Sequence, residues 1–187
     1  MSTIDRLPPL DPAAWTEPQR VCAEEIIQGP RRALISPFVP LLRSPELCTH
    51  AQRMGEYLRY RSAIGLRLSE LAILVTARFW DQQVEWSIHA PIAEREGISP
   101  AVVRAIEHQQ TPTFEKADEQ LVYEVSRQLL YDKRVSDTVW TSAEVQLGAQ
   151  GIVDLTGIVG YYTMLSLVMN GAQTPPPPDC HRRLPTV

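Results

Sequence analysis

Cysteine is scarce in this chain, with three residues in 187, at positions 22, 48 and 180. The odd count and wide spacing exclude a disulfide framework, and no CxxC pair is present. Unpaired thiols suit a reducing compartment, so a cytoplasmic location is expected. Positive charge is also in short supply. Eighteen Lys and Arg face 22 Asp and Glu, giving a formal charge of −4. That balance argues against nucleic acid or an anionic membrane as a partner. The pairs Arg31-Arg32 and Arg182-Arg183 are too short to form a basic patch. Long apolar runs are missing as well. Leu155 to Met169 comes nearest, but Thr156, Gly157, Tyr161 and Ser166 interrupt it. It is too short to span a bilayer and reads as a buried helix. Met1 to Arg6 carries no apolar segment of the signal-peptide kind. Period-two alternation is absent, so no strand is expected.

Proline is plentiful, with sixteen residues, and hydrophobic residues make up 44%, enough for a real core. The prolines punctuate a chain whose apolar residues recur at three and four. The expected fold is all-α, a compact bundle of seven or eight helices. Helices are expected over 12–28, 45–60, 66–81, 82–96, 100–107 and 114–131, with another opening at Ser136 and a last one over 148–170. Residues 29–44 read as a packed loop with a short helical turn. The pattern divides into an N-terminal arm and helix (1–34), a helical domain (35–172) and a Pro-rich tail (173–187). Residues 173–179 are expected to be extended polyproline II, serving as a terminal spacer.

The chemistry concentrates between residues 66 and 93. Glu70 sits inside a helix that is apolar nearly all round, with Leu66, Ile73 and Leu74 on its face. A carboxylate there is either paired or unusually basic, because desolvation disfavours its charge. On the next helix, Gln82, Glu85 and His89 fall at i, i+3 and i+7 and form one polar stripe, with Trp86 beside it. A carboxylate four residues before a histidine can orient the ring and stabilise its imidazolium. If the two helices form a hairpin, Glu70 joins the same pocket and the set becomes a proton-transfer site. Two blander readings stay open: a solvated surface pair, or a metal site built from one His and two Glu. The single histidine of the cluster and the lack of HExxH count against metal. No metal and no cofactor is therefore expected. Arg59 and Arg61, with Tyr57 and Tyr60, cluster before the central helix and can hold a substrate carboxylate or serve as structural ion pairs. Tyr161-Tyr162 is either core or pocket wall. His50 and His108 read as solvent-facing, His181 lies in the tail, and Cys22 and Cys48 read as small buried hydrophobes.

Several segments carry a resemblance. They are Leu68-Ser69-Glu70-Leu71-Ala72-Ile73-Leu74-Val75-Thr76-Ala77-Arg78, Glu85-Trp86-Ser87-Ile88-His89-Ala90-Pro91, Leu121-Val122-Tyr123-Glu124, Arg134-Val135-Ser136-Asp137 and the run Gly151 to Tyr162. Over residues 35–172 the chain resembles the carboxymuconolactone decarboxylase family, which includes the alkylhydroperoxidase-D-like proteins. The resemblance implies an all-α fold and assembly into homotrimers or hexamers. Peroxidase-type members carry Glu, a CxxC pair and His, and those positions fall on Glu70, Gln82, Glu85 and His89. Both cysteines are absent, which removes the dithiol route to peroxide reduction. What remains implies a cofactor-independent lyase acting on a small carboxylated lactone or related enolisable acid. Glu70, Glu85 and His89 would be catalytic. Arg59, Arg61, Gln82, Trp86 and Tyr57 would contact substrate. The alternative is a non-catalytic helical oligomer that binds a small ligand or partner, supported by the spaced glycines 148, 151, 157 and 160.

Overall fold

The structure is a computed structural model, and it describes residues 4–178, 180 and 182–185. Among them are eight α-helices and no strand. These are α1 (Glu17–Gln28), α2 (Phe38–Leu41), α3 (Pro45–Tyr60), α4 (Gly65–Phe79), α5 (Gln83–Arg95), α6 (Pro100–Glu107), α7 (Ala117–Tyr131) and α8 (Asp137–Ala172). The all-α expectation holds.

Helix α4 is the centre of the bundle. Every residue from Leu68 to Arg78 is buried, because α5, α7, α8, α3 and α6 all pack on it. Leu71, Ala72, Ile73, Leu74 and Ala77 are completely enclosed. Each large aliphatic side chain buried this way stabilises the fold by roughly 1.5–3 kcal/mol. A helix so enclosed has no solvated face for a charge, so Glu70 must find its partners inside the protein.

The expected helix over 12–28 divides in two. Pro12–Ala14 forms a single 3-10 turn, and α1 begins only at Glu17. The reason is Pro18. A helix started at Pro12 would hold Pro18 in its interior, where the missing N–H and the ring break the ladder. Starting at Glu17 places Pro18 in the first turn, where it is tolerated. Thr16 then becomes the cap, its N–H donating to Gln19 Oε1 at 3.0 Å. Helix α7 likewise starts at Ala117 rather than Phe114. Ser44 and Ser136 occupy cap positions, but neither hydroxyl makes the capping hydrogen bond.

The segments expected as two C-terminal helices run together as α8, broken in conformation at Gly148 (φ 66°, ψ 172°). That backbone region is accessible almost only to glycine. Two of the spaced glycines serve packing within the chain. A Cβ at Gly157 would lie 3.3 Å from Leu58 Cδ2, and one at Gly151 3.3 Å from Ile64 Cγ2. Helix α8 is long and apolar enough to cross a membrane by composition, yet 56% of its most apolar window is buried inside this chain.

The tail is not a free spacer. Residues 174–177 have no regular structure, but the chain then returns to α5. Leu184 is buried, its N–H donates to Gln83 Oε1 at 3.0 Å, and Arg182 pairs with Glu94 at 2.7 Å. An apolar side chain and two polar groups with partners on α5 hold this end of the chain against the domain. Asp179, the end of the expected extended stretch, lies outside the described residues, as does His181.

Candidate active site

Helices α4 and α5 form a hairpin across Trp80–Gln82, and this brings Glu70 against His89. His89 Nδ1 lies 2.6 Å from Glu70 Oε2. On the other edge of the ring, Nε2 lies 3.3 Å from Glu85 Oε2, one helical turn back along α5. Glu70, Glu85 and His89 are all at least 95% buried. The solvated surface pair is therefore excluded. Arg59, reaching in from α3, places Nε 3.5 Å from Glu70 Oε1. From α8, the Tyr162 ring meets the imidazole edge to face at 5.2 Å. Two carboxylates, one guanidinium and one imidazolium balance to zero net charge, which is what allows four ionisable groups to share an interior.

The protonation of His89 follows from opposing effects. Burial pushes its pKa down. The charges of Glu70 and Glu85 and their hydrogen bonds push it up further, and the net value is raised to about 9. The ring is an imidazolium at neutral pH. Glu70, at the shorter distance, fixes Nδ1, leaving the Nε2 proton on the looser side. A metal needs a neutral imidazole with a free lone pair, whereas both nitrogens here face carboxylates.

A cavity of about 30 Å³ adjoins this cluster, walled by Arg31, Arg59, Glu85, His89, Tyr161 and Tyr162. Its roof is the loop ahead of α2, including Ser36 and Pro37. Four buried polar atoms at or beside it make no hydrogen bond: Arg59 Nε, Glu70 Oε1, Glu85 Oε1 and Tyr161 Oη. Arg59 Nε and Glu70 Oε1 face each other as an ion pair at 3.5 Å, which leaves Glu85 Oε1 and Tyr161 Oη without a partner. Buried polar groups are nearly always paired, so these two on one cavity mark a place suited to a polar molecule. The Tyr161 hydroxyl is pushed above its usual pKa by burial first, with Arg31 opposing and Glu85 reinforcing. It is a neutral donor at physiological pH. Gly55 makes room for it: a Cβ there would sit 2.2 Å from Tyr161 Oη and 2.9 Å from Arg31 Nη2.

Of the eight expected site residues, the structure brings together four: Glu70, Glu85, His89 and Arg59. The other four stand elsewhere. Arg61 is exposed and pairs with Glu56 at 3.9 Å. Helix α3 ends at Tyr60, so its last-turn Arg59 points inward while Arg61 falls outside. The Tyr57 hydroxyl donates to Asp154, 3.1 Å from either carboxylate oxygen. Gln82 caps α5, accepting from Val84 N–H at 2.6 Å and donating to Asn170 at 2.7 Å. Trp86 is fully buried in the core. Sequence reading missed Arg31, because an arginine in a Pro-rich loop carries no periodicity to show where it faces. His50 and His108 are exposed, as expected. Cys22 and Cys48 are buried and free. The Cys48 thiol is pushed up by burial and then by neighbouring Cys22, so it forms little thiolate.

No family model matches the sequence, and no curated protein matches it either. In structure, the chain is similar to an uncharacterized peroxidase-related protein from Silicibacter sp. TM1040. The two agree with a TM-score of 0.74 over 96% of this chain and 94% of that chain, at 12% identity. The likeness shows the fold: an all-helical, alkylhydroperoxidase-D-like bundle.

Proposed function

We propose that the protein is a cofactor-independent lyase of the carboxymuconolactone decarboxylase type, acting on a small carboxylated lactone or related enolisable acid. The observation that carries this reading is a buried imidazolium held between two carboxylates beside a cavity lined by Arg31, Arg59 and Tyr161. Arg59 and Arg31 bind the substrate carboxylates. The C–C bond to the departing carboxylate breaks, carbon dioxide leaves, and the electron pair passes into the conjugated lactone as a dienolate. Tyr161, a neutral buried hydroxyl, donates a hydrogen bond to the developing oxyanion. His89 Nε2 gives its proton to carbon and is reprotonated from solvent, so one proton is consumed for each carbon dioxide released. Glu70 positions the ring, and Glu85 restores the proton to Nε2.

The cavity of about 30 Å³ holds a water-sized molecule, far below the several hundred Å³ that small ligands usually occupy. Substrate access therefore requires the loop carrying Arg31 and Pro37 to move aside. Dithiol peroxide reduction is disfavoured, since Gln82 and Glu85 stand where that chemistry needs cysteines.

A panel of unsaturated γ-lactone carboxylic acids, assayed for carbon dioxide release without added cofactor, tests the reading. Deuterium uptake at carbon from heavy water covers enolisable acids that do not decarboxylate. His89→Ala should cost about 10²–10⁴-fold in kcat. Full turnover by that variant would remove the proposed donor.

Self-assembly belongs to the same proposal. Val145, Val153 and Leu167 on α8 are 82%, 69% and 52% exposed. Outward apolar residues on so apolar a helix favour burial against further copies of the chain, and sedimentation of the purified protein tests for the expected trimer or hexamer. A cytoplasmic location stands with this proposal, on the three free thiols.

A further inference from the structure

A second cavity lies away from the His89 cluster, between α4, the end of α6 and α7. Its volume is about 420 Å³, within the range of sites that hold small ligands. Its only charged lining residues are two arginines, Arg78 and Arg127. Arg78 is 5% exposed. Its Nε donates to the Glu107 carbonyl at 2.9 Å, and its Nη1 pairs with Asp81. Those two contacts pin the guanidinium plane. Nη2 has no hydrogen-bond partner among the described residues, and Arg78 lines the cavity. Burial pushes the Arg78 pKa down, so the ion is short of solvation where it stands. Arg127 is held loosely, with Glu124 and Asp132 both 3.6 Å away, too long for hydrogen bonds. It is free to turn to another anion. One side of the remaining wall is aromatic and aliphatic. Phe79 and Tyr131 meet edge to face at 4.8 Å, beside Tyr123, Val75 and Ile106, and Gln109 and Gln110 complete the lining.

We propose that this cleft is a second ligand site, taking a small planar organic anion, a ring bearing a carboxylate. The two guanidiniums hold the carboxylate in the forked geometry that suits them, and the aromatic wall takes the ring. A bare inorganic anion leaves that wall unused. A nucleic acid would need a broader basic patch than the two arginines that line this cleft. The proposal is independent of the reading of His89: Glu70 and Arg78 lie about two turns apart along α4, and the two cavities share no residue.

Benzoate is the probe. Titrated into the ¹⁵N-labelled full chain, it should give saturable amide shifts at Gln109, Gln110 and Tyr123, with a Kd at or below about 1 mM. Ile88 and His89 should not move. Arg127→Gln should weaken binding about tenfold or more, and Arg127→Lys by less, since it keeps the charge without the fork. Benzamide, the neutral analogue, should bind as weakly as benzoate binds to Arg127→Gln. His89→Ala should change nothing here, which separates failure of this site from failure of the lyase reading. Arg127 lies at the surface with loose partners, so its variants should melt like the parent. The proposal is overturned by absence of saturation, by equal binding of benzamide or of inorganic phosphate, by parent-like binding in Arg127→Gln, or by shifts confined to the His89 cavity.

Discussion

Replacing Glu70 by Gln tests the central electrostatic claim. In the unfolded chain a histidine titrates near 6.5, and His89 in the fold is raised to about 9. The sign follows from linkage. A raised pKa means the folded state holds the proton more tightly, so the added stability is fully present below pH 6.5 and is lost as pH rises through 9. At about 1.4 kcal/mol per tenfold change in proton affinity, the protonated ring contributes roughly 3 kcal/mol at the acid end. Glu70→Gln keeps shape and hydrogen-bonding capacity but removes the charge 2.6 Å from Nδ1. Glu85, at 3.3 Å, remains alone against burial. The ring should then titrate at or below 6.5. Denaturant unfolding from pH 6 to 9.5 should show parent stability falling across that window and the variant nearly flat, with the gap widest at pH 6. A side-chain NMR titration of His89 reads the same change directly. If the variant's ring still titrates near 9, or if the gap is equal at both ends, the two-carboxylate account of His89 is wrong.

Four further substitutions probe the scaffold. Asp154 is buried on α8, accepting from Tyr57 Oη and from Ala63 N–H at 2.7 Å. Asp154→Ala should cost about 2–4 kcal/mol by orphaning both donors and Tyr57→Phe about 1 kcal/mol, both seen as lower denaturant midpoints. Gly55→Ala should displace Tyr161, given the 2.2 Å approach; a crystal structure with Tyr161 unmoved would contradict this. Gly148→Ala meets no neighbour within 4 Å, so its whole cost is backbone strain, about 1–3 kcal/mol, and a Tm equal to the parent's would show that α8 can straighten there.

How much was legible depended on whether a feature is local. Helix α4 announced itself because a run such as Leu71 to Val75 with few polar interruptions has nowhere to go but the interior. The Glu85–His89 pair follows from the pitch of one helix. Glu70 was recognisable as anomalous because a carboxylate among leucines must have a reason. Its distance to His89, however, depends on the angle at which α4 and α5 pack. The start of α1 was misjudged because its decisive signal, Pro18, lies inside the apolar pattern that suggested the earlier start.

By itself the sequence determined the all-α class, the central helix, the absence of a dithiol and the Glu85–His89 pair. Periodicity and residue chemistry suffice for these, since each is a property of one helix or of composition. Only the tertiary structure decided which arginines face the triad. Arg59 and Arg61 are two residues apart and identical in chemistry, and the end of α3 at Tyr60 sends one inward and the other to solvent. Arg31 and Tyr161, some 130 residues apart in the chain, meet at one cavity through the packing of α8 under the loop ahead of α2. The raised pKa of His89 is tertiary for the same reason, since a second carboxylate at 2.6 Å exists only once two helices have packed.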